Sequence, residues 1–361
     1  MNRNNYAIIM AGGIGSRFWP ISRTSHPKQF IDILGTGKTL IQQTYDRFLK
    51  VCPKENIYVV TNEIYTDLVK KQLPDMADGQ ILTEPVMRNT APCVAYGCFK
   101  IESLNPDAAI VIAPSDHLIL DEPAFVSTIE KSLEAATQHS CLVTLGIMPS
   151  RPDTGYGYIQ YTDNILNGEF HKVKTFTEKP TLEIAKTFIQ SGDFLWNAGI
   201  FVWSVKAILS AYKKYLPEIT EIFEEAKPVY NTDKEKSYIH SAYQQCTNIS
   251  IDYGIMEKAD NVYVIPSEFG WSDLGTWASI YQLAEKDEHD NALIPQDRII
   301  TYDSSNNMVS VPEGKLVIIK GLHDFIVVES NNTLMISPRS EEQGVKQVVA
   351  DVKQKFGTKY I

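Results

Sequence analysis

Residues 8–30, IIMAGGIGSRFWPISRTSHPKQF, set bare backbone beside fixed positive charge. An apolar run over 6–10 ends in Ala11-Gly12-Gly13-Ile14-Gly15-Ser16-Arg17, and Lys28 follows eleven residues after Arg17. Glycine permits positive φ and lets N–H groups approach an anion closely. Arg17 and Lys28 can neutralise what those amides position, a combination suited to polyphosphate. The dinucleotide fingerprint G-x-G-x-x-G is excluded, because Phe18 stands where its third glycine belongs. Gly35-Thr36-Gly37-Lys38-Thr39 imitates the end of a P-loop, but Asp32 occupies the required earlier glycine position. It reads as a turn, with Thr39 capping a helix from Leu40.

Further polar constellations fall at the ends of expected strands. Asp116, in Pro114-Ser115-Asp116-His117, follows an apolar strand and either holds Mg²⁺, which takes only one or two protein carboxylates, or caps the next turn. Asp273, in Gly270-Trp271-Ser272-Asp273-Leu274-Gly275, is equally a second metal ligand or a helix cap. For Asp252, ahead of a helix, capping is the favoured reading. Glu178 and Lys179, in Phe176-Thr177-Glu178-Lys179-Pro180, set an acceptor for sugar hydroxyls beside a cation for phosphate, at a strand end that Pro180 terminates. Asn197, in Trp196-Asn197-Ala198-Gly199, adds an amide suited to a polyol. Arg88-Asn89-Thr90-Ala91-Pro92 binds a base or caps a helix.

The chain that positions these groups has 361 residues, 43% apolar and 22% charged, enough for one large domain and a smaller one. A net charge of −10 argues against nucleic acid as a partner. The five cysteines form no CxxC pair and read as reduced, buried thiols. The N-terminal apolar run is too short for a signal peptide and nothing reaches a membrane span, so cytoplasmic residence is expected.

Near-continuous apolar runs at 6–10, 57–61, 109–113 and 141–147 predict buried strands. Helical periods at 63–73, 91–101 and 122–139 alternate with them, which predicts a doubly wound α/β sheet binding ligand beyond its strands' carboxyl ends. Strands at 155–161, 172–178 and 195–204, then helices to about 258, read as an insertion that extends the sheet. Beyond 285, β-type pieces recur at about nine-residue intervals. These suggest a small β structure, helical in its winding, and a terminal helix over 341–356. Residues 1–285 and 286–361 are the expected domains. The stripe Val345, Val348, Val349, Val352 and Phe356 reads as an internal packing face, with a homodimer contact as the alternative.

The ordered segments AGGIGSRFWPISR (11–23), PKQF (27–30), EPVMRNTAP (84–92), PSDH (114–117), GYGYI (155–159), FTEKP (176–180), WNAG (196–199), SIDYGIMEK (250–258) and GWSDLGTW (270–277) together resemble the mannose-1-phosphate guanylyltransferases, within the sugar-phosphate nucleotidyltransferases. The resemblance implies a Rossmann-like, mixed, mainly parallel sheet with a short C-terminal β domain. It implies that Gly12, Gly13, Gly15, Arg17 and Lys28 surround GTP phosphates, with Asn89 and Thr90 near guanine. It places Gly157, Glu178, Lys179 and Asn197 around mannose 1-phosphate, and Mg²⁺ on Asp116 and Asp273. The reaction implied is GMP transfer from GTP to mannose 1-phosphate, giving GDP-mannose and pyrophosphate. The chain ends at Ile361, so no isomerase domain is expected. Transfer of another nucleotide or sugar, or a non-catalytic sensor of the sugar nucleotide, are the competing expectations. With Arg17, Lys28 and Lys179 as catalytic cations, Lys28→Ala is expected to lose far more turnover than stability.

Overall fold

The computed structural model describes residues 2–361. The chain divides into two compact units, one formed by the residues up to Gly12 with Gln42–Ser115 and Ile119–Trp271, the other by Gly13–Ile41, Asp116–Leu118 and Ser272–Ile361. These units cut across the linear division at 285/286.

The first unit is built on a nine-stranded sheet. Its strands are β1 (Asn5–Ala11), β2 (Ile57–Asn62), β3 (Ile81–Glu84), β4 (Ala109–Pro114), β5 (Leu142–Ile147), β6 (Gly157–Leu166), β7 (Phe170–Glu178), β8 (Phe194–Ser204) and β9 (Val262–Ser267). The spatial order is β3-β2-β1-β4-β8-β5-β9-β7-β6. Pairing through β3-β2-β1-β4 is parallel, and the aliphatic runs of β1, β2 and β4 are buried almost throughout, as double-sided cover by helices requires. β8 is antiparallel to both β4 and β5, and β7 is antiparallel to both β9 and β6. The sheet is therefore mixed, parallel at one end and largely antiparallel at the other.

Strands β3 and β9 lie outside the sequence expectation. β3 has only four residues, too few for a visible period, and β9 directly follows a helical stretch and carries Pro266 near its end. Helices α1 (Thr90–Leu104), α2 (Glu122–His139), α3 (Leu182–Ser191), α4 (Val205–Tyr215), α5 (Pro217–Glu225) and α6 (Glu235–Gln245) belong to this unit, as do the shorter helix Thr66–Gln72 and all but the first two residues of the helix Leu40–Phe48. Tyr96, Phe99, Tyr212, Phe223 and Tyr243 form a buried aromatic core with the sheet residues Ile8, Val60 and Ile110. All five cysteines are buried free thiols. No described helix is long and apolar enough to cross a membrane.

The second unit carries a short β coil. Strands β10 (Ala292–Ile294), β12 (Met308–Ser310) and β14 (Phe325–Ser330) pair in parallel, as do β11 (Ile299–Tyr302) and β13 (Val317–Lys320). The nine-residue interval is thus half a coil, each turn supplying one strand to each ladder. Val309, Ile319 and Val327 fill the interior. Buried Asn291 and Asn307 stack between turns, the Asn291 Oδ1 accepting the Asn307 N–H and the Asn307 Oδ1 accepting the Phe325 N–H. β15 (Thr333–Pro338) closes the sheet antiparallel to β14.

α7 (Trp277–Leu283) and the terminal α8 (Val345–Phe356) pack into a core shared with Phe18, Trp19, Met308 and Ile326. Of the terminal stripe, Val345, Val349 and Val352 join that core, whereas Val348 and Phe356 are exposed. The Trp19 indole donates to the Tyr360 carbonyl at 2.7 Å. The far end of the chain thus buttresses the residues just after Arg17.

Candidate active site

The glycine segment leaves β1 and passes into the second unit. Of its three glycines only Gly15 takes the left-handed region, at φ +64°, and a Cβ there would lie 2.8 Å from the Lys28 Cβ. Gly12 and Gly13 are open to small approach rather than required for φ. The Ser22 hydroxyl donates to the Ile14 carbonyl at 2.6 Å, and the Gln29 amide donates to the Gly13 carbonyl at 3.0 Å. With those carbonyls turned to side chains, the amides of Gly13, Ile14, Gly15 and Ser16 have no partner among the described residues. Successive unpaired N–H groups make an anion-binding concavity. Arg17, half-buried, has no hydrogen bond or ion pair among the described residues. The P-loop imitation is filled from within, since Asp32 accepts the amides of Thr36 and Gly37.

Lys28 is not the open cation that the sequence suggests. It is 4% exposed, and Nζ donates to the Asp273 carbonyl at 2.7 Å, the Leu274 carbonyl at 3.0 Å and Asp116 Oδ2 at 2.9 Å. An ammonium has three protons, so all are engaged. Lys28 therefore ties the Asp116 carboxylate to the strained turn at Leu274, whose φ is +44°. Burial works to raise the Asp116 pKa, but Lys28 and His117 outweigh it and hold the carboxyl below its ordinary range. Asp273 Oδ1 accepts the Gly275 N–H at 2.8 Å, and a Cβ on Gly275 would collide with the same carboxylate.

Asp116 and Asp273 fit a hard cation in kind: both offer carboxylate oxygen, and Asp116 is held ionised. Among the described residues no group of three or more His, Cys, Asp or Glu could hold a metal alone.

The remaining candidates belong to the first unit. Gly157 begins β6 opposite Glu178, which ends β7. A Cβ at Gly157 would lie 2.5 Å from Glu178 Oε2 and 3.5 Å from the Asn197 Cβ, so glycine there makes room for the carboxylate. Glu178 Oε1 accepts from Lys179 Nζ at 2.6 Å, and Lys179 itself stands at φ +46°. Non-glycine residues in that region cost of order 1–3 kcal/mol and cluster at functional sites. Asn197 Nδ2 donates to Asp252 Oδ1 at 2.8 Å. Gly157, Glu178, Lys179 and Asn197 are thus brought together, and Asp252 joins them.

The sequence favours Asp252 as a cap, but the Ser250 hydroxyl accepts the Tyr253 N–H instead, and Asp252 opens a single π-turn over Asp252–Met256. Such turns recur at functional sites. Burial raises the Asp252 pKa, Asn197 offsets this in part, and Glu178 adds to the rise.

The Asn89-Thr90 loop does the capping that is its simpler reading. Asn89 Oδ1 accepts the Thr90 N–H at 2.9 Å, and the Thr90 hydroxyl accepts the Ile251 N–H at 2.9 Å. Arg88 donates to the Tyr243 carbonyl at 3.1 Å. Glu84, at the carboxyl end of β3, stands where the sequence suggests only loop. It is buried, its Oε2 is 3.8 Å from where a Gly12 Cβ would stand, and its Oε1 has no partner among the described residues. Burial pushes its pKa up to about 7, partly offset by the Tyr243 hydroxyl.

Comparison with known proteins shows the family. Residues 6–290 match the nucleotidyl transferase family, and residues 297–352 match the MannoseP isomerase/GMP-like beta-helix domain. The chain is 34% identical to mannose-1-phosphate guanylyltransferase 2 of Escherichia coli O157:H7, over 98% of this chain and 75% of that protein. It is also 34% identical to the mannose-1-phosphate guanylyltransferase of Escherichia coli K12, over 96% and 73% respectively. A solved structure described as a mannose-1-phosphate geranyltransferase from Thermus thermophilus superposes with a TM-score of 0.86 at 28% identity, covering 97% of this chain and 99% of that one. The chain belongs to the nucleotidyl transferase family, among the mannose-1-phosphate guanylyltransferases.

Proposed function

We propose that the protein transfers GMP from GTP to α-D-mannose 1-phosphate, forming GDP-mannose and pyrophosphate. The observation that carries the reading, beside the family, is the run of unpaired amides at 13–16 with Arg17 and the ionised Asp116 in one compact unit. An oxygen of the sugar phosphate attacks the α-phosphorus of GTP in line. The bond from that phosphorus to the bridging oxygen breaks, and its electron pair leaves with pyrophosphate. The nucleophile is already an anion, so no general base is needed. Catalysis is positioning and charge neutralisation.

The roles follow the partners found. The amides of 13–16 and Arg17 take the phosphates of GTP, and Arg17 stabilises the charge that grows on pyrophosphate. Lys28 acts by fixing Asp116 and the 273–274 turn. Lys179 exchanges part of its pairing with Glu178 for the attacking phosphate. Glu178 and Asn197 face sugar hydroxyls above Gly157, and Asn89 and Thr90 shape the loop assigned to guanine. Nucleotidyltransferases of this family generally use a divalent metal. Mg²⁺, held by Asp116 and Asp273, supplies neutralisation between the approaching phosphates when bound.

Residues 1–285 are assigned to catalysis and 286–361 to support of the glycine segment through the shared core. Pairing of two copies and cytoplasmic residence belong to the same proposal. Pyrophosphate release, measured with each nucleoside triphosphate against mannose and glucose 1-phosphates, tests it. GTP with mannose 1-phosphate should dominate and require Mg²⁺. Equal release with another pair, or binding of GDP-mannose without turnover, would overturn it.

A further inference from the structure

Asn197 has little hydrogen-bonding capacity to spare. Its Oδ1 accepts the Gly199 N–H at 3.0 Å and the Thr144 hydroxyl at 3.4 Å, and Nδ2 gives one proton to Asp252. A side-chain amide has two acceptor sites and two protons, so a single N–H is left. Asp252 is the opposite case. Its Oδ1 is taken by Asn197, and no side chain among the described residues bonds its Oδ2.

Charge decides which ligand group that oxygen suits. Glu178 adds to the cost of ionising Asp252, which burial already disfavours, so a second anion is repelled there. A neutral hydroxyl donor relieves the penalty. Lys179, salt-bridged to Glu178, is the place for a phosphate. The cluster therefore sets one cation among carboxylates, with an Asp252 oxygen that no described side chain bonds. A sugar phosphate offers both an anion and hydroxyl donors.

Resting on the function proposed above, we propose that Asp252, through Oδ2, accepts the proton of one sugar hydroxyl and so reads the sugar, with Asn197 as the brace that aims it. The π-turn at 252–256 sets the carboxylate, and the Asn197–Asp252 bond fixes its rotation.

Asp252→Asn tests this with the brace intact, since the new amide oxygen still accepts the Asn197 N–H. A hydrogen bond to a charged acceptor contributes about 1.5–3 kcal/mol, or about 10- to 100-fold. KM for mannose 1-phosphate should rise by that factor, while KM for GTP, kcat and the unfolding midpoint stay close to wild type. A panel of monodeoxy mannose 1-phosphates then identifies the hydroxyl. For one member, deletion of the hydroxyl and D252N should give no more loss together than either alone. Additive losses for every member, or an unchanged KM, would refute the assignment. Parallel loss of both KM values and of stability would show a merely structural role and refute it equally. A wild-type enzyme inert toward mannose 1-phosphate would instead sink the function itself.

Discussion

Replacing Lys28 by Met removes the ammonium and keeps a side chain of similar length beside the Phe18 ring. In the wild type Nζ gives its protons to two carbonyls and to Asp116. A carbonyl stranded without its donor costs about 1–3 kcal/mol, with the low end holding where water enters. Severing a buried ion pair costs about 3–5 kcal/mol, but the Asp116 side chain keeps 28% of its exposure. Screening therefore brings that share nearer about 1 kcal/mol. Together K28M should lose about 3 kcal/mol, read as a lower urea midpoint for the transition followed by intrinsic tryptophan fluorescence. Turnover should fall about 100-fold as well, because Asp116 and the 273–274 turn lose their tie. Adding Asp116→Asn removes the stranded carboxylate and should restore about 1 kcal/mol, a coupling that a double-mutant cycle isolates. Wild-type stability in K28M alongside lost turnover would refute the reasoning. It would return Lys28 to the open cation that its sequence context suggests.

Glu84→Gln should change stability in a pH-dependent way. The folded carboxyl titrates at about 7 against an ordinary 4.5, so the wild type is undisturbed below the lower value and loses stability as pH rises through the upper one. That difference corresponds to about 3 kcal/mol. E84Q should be more stable than wild type by up to that amount at about pH 8 and level with it near pH 4; a pH-independent difference in urea midpoints would contradict this. Gly15→Ala should cost about 2–3 kcal/mol, from the left-handed backbone and the overlap with Lys28, and should raise KM for GTP. Gly13→Ala, whose Cβ would meet nothing within 4 Å, should stay within about 0.5 kcal/mol in stability; equal effects of the two on the unfolding midpoint would remove Gly15's special place.

The elements that sequence made visible are those with one strong period. The strands at 5–11, 57–62, 109–114 and 142–147 are nearly unbroken aliphatic runs, and α2 carries an Asp121 cap at the residue expected to precede it. β3 escaped because four residues carry no period. The coil was half visible: its nine-residue rhythm shows in the sequence, whereas the Asn291–Asn307 stack depends on residues sixteen apart meeting across a turn. The site was legible in its residue types and not in its bonds. Lys28, Asn197 and Thr90 all lie in motifs read for ligand contact, yet Lys28 and Asn197 spend most of their hydrogen-bonding capacity on the protein, and the Thr90 hydroxyl accepts the Ile251 N–H. Asp252 departs from its sequence reading in the other direction, since a carboxylate before a helix is usually a cap, whereas here Ser250 accepts the Tyr253 N–H and Asp252 bonds Asn197.

The same distinction explains why the compact units do not follow the linear order. Phe18 and Trp19 lie inside the phosphate-binding motif, where glycine and charge draw attention, but both are buried in a core with Trp277, Met308 and Ile326. Phe18 also packs edge-on against Trp277, with ring centroids 5.2 Å apart. A loop that must present bare amides cannot satisfy itself internally, so its rigidity has to come from what its apolar residues touch. Here that support comes from residues more than two hundred and fifty positions later, and Tyr360 reaches back to the Trp19 indole. On the function proposed above, the C-terminal coil and helix are in this sense part of the phosphate site, because they hold in place the segment whose amides and Arg17 are proposed to take the phosphates.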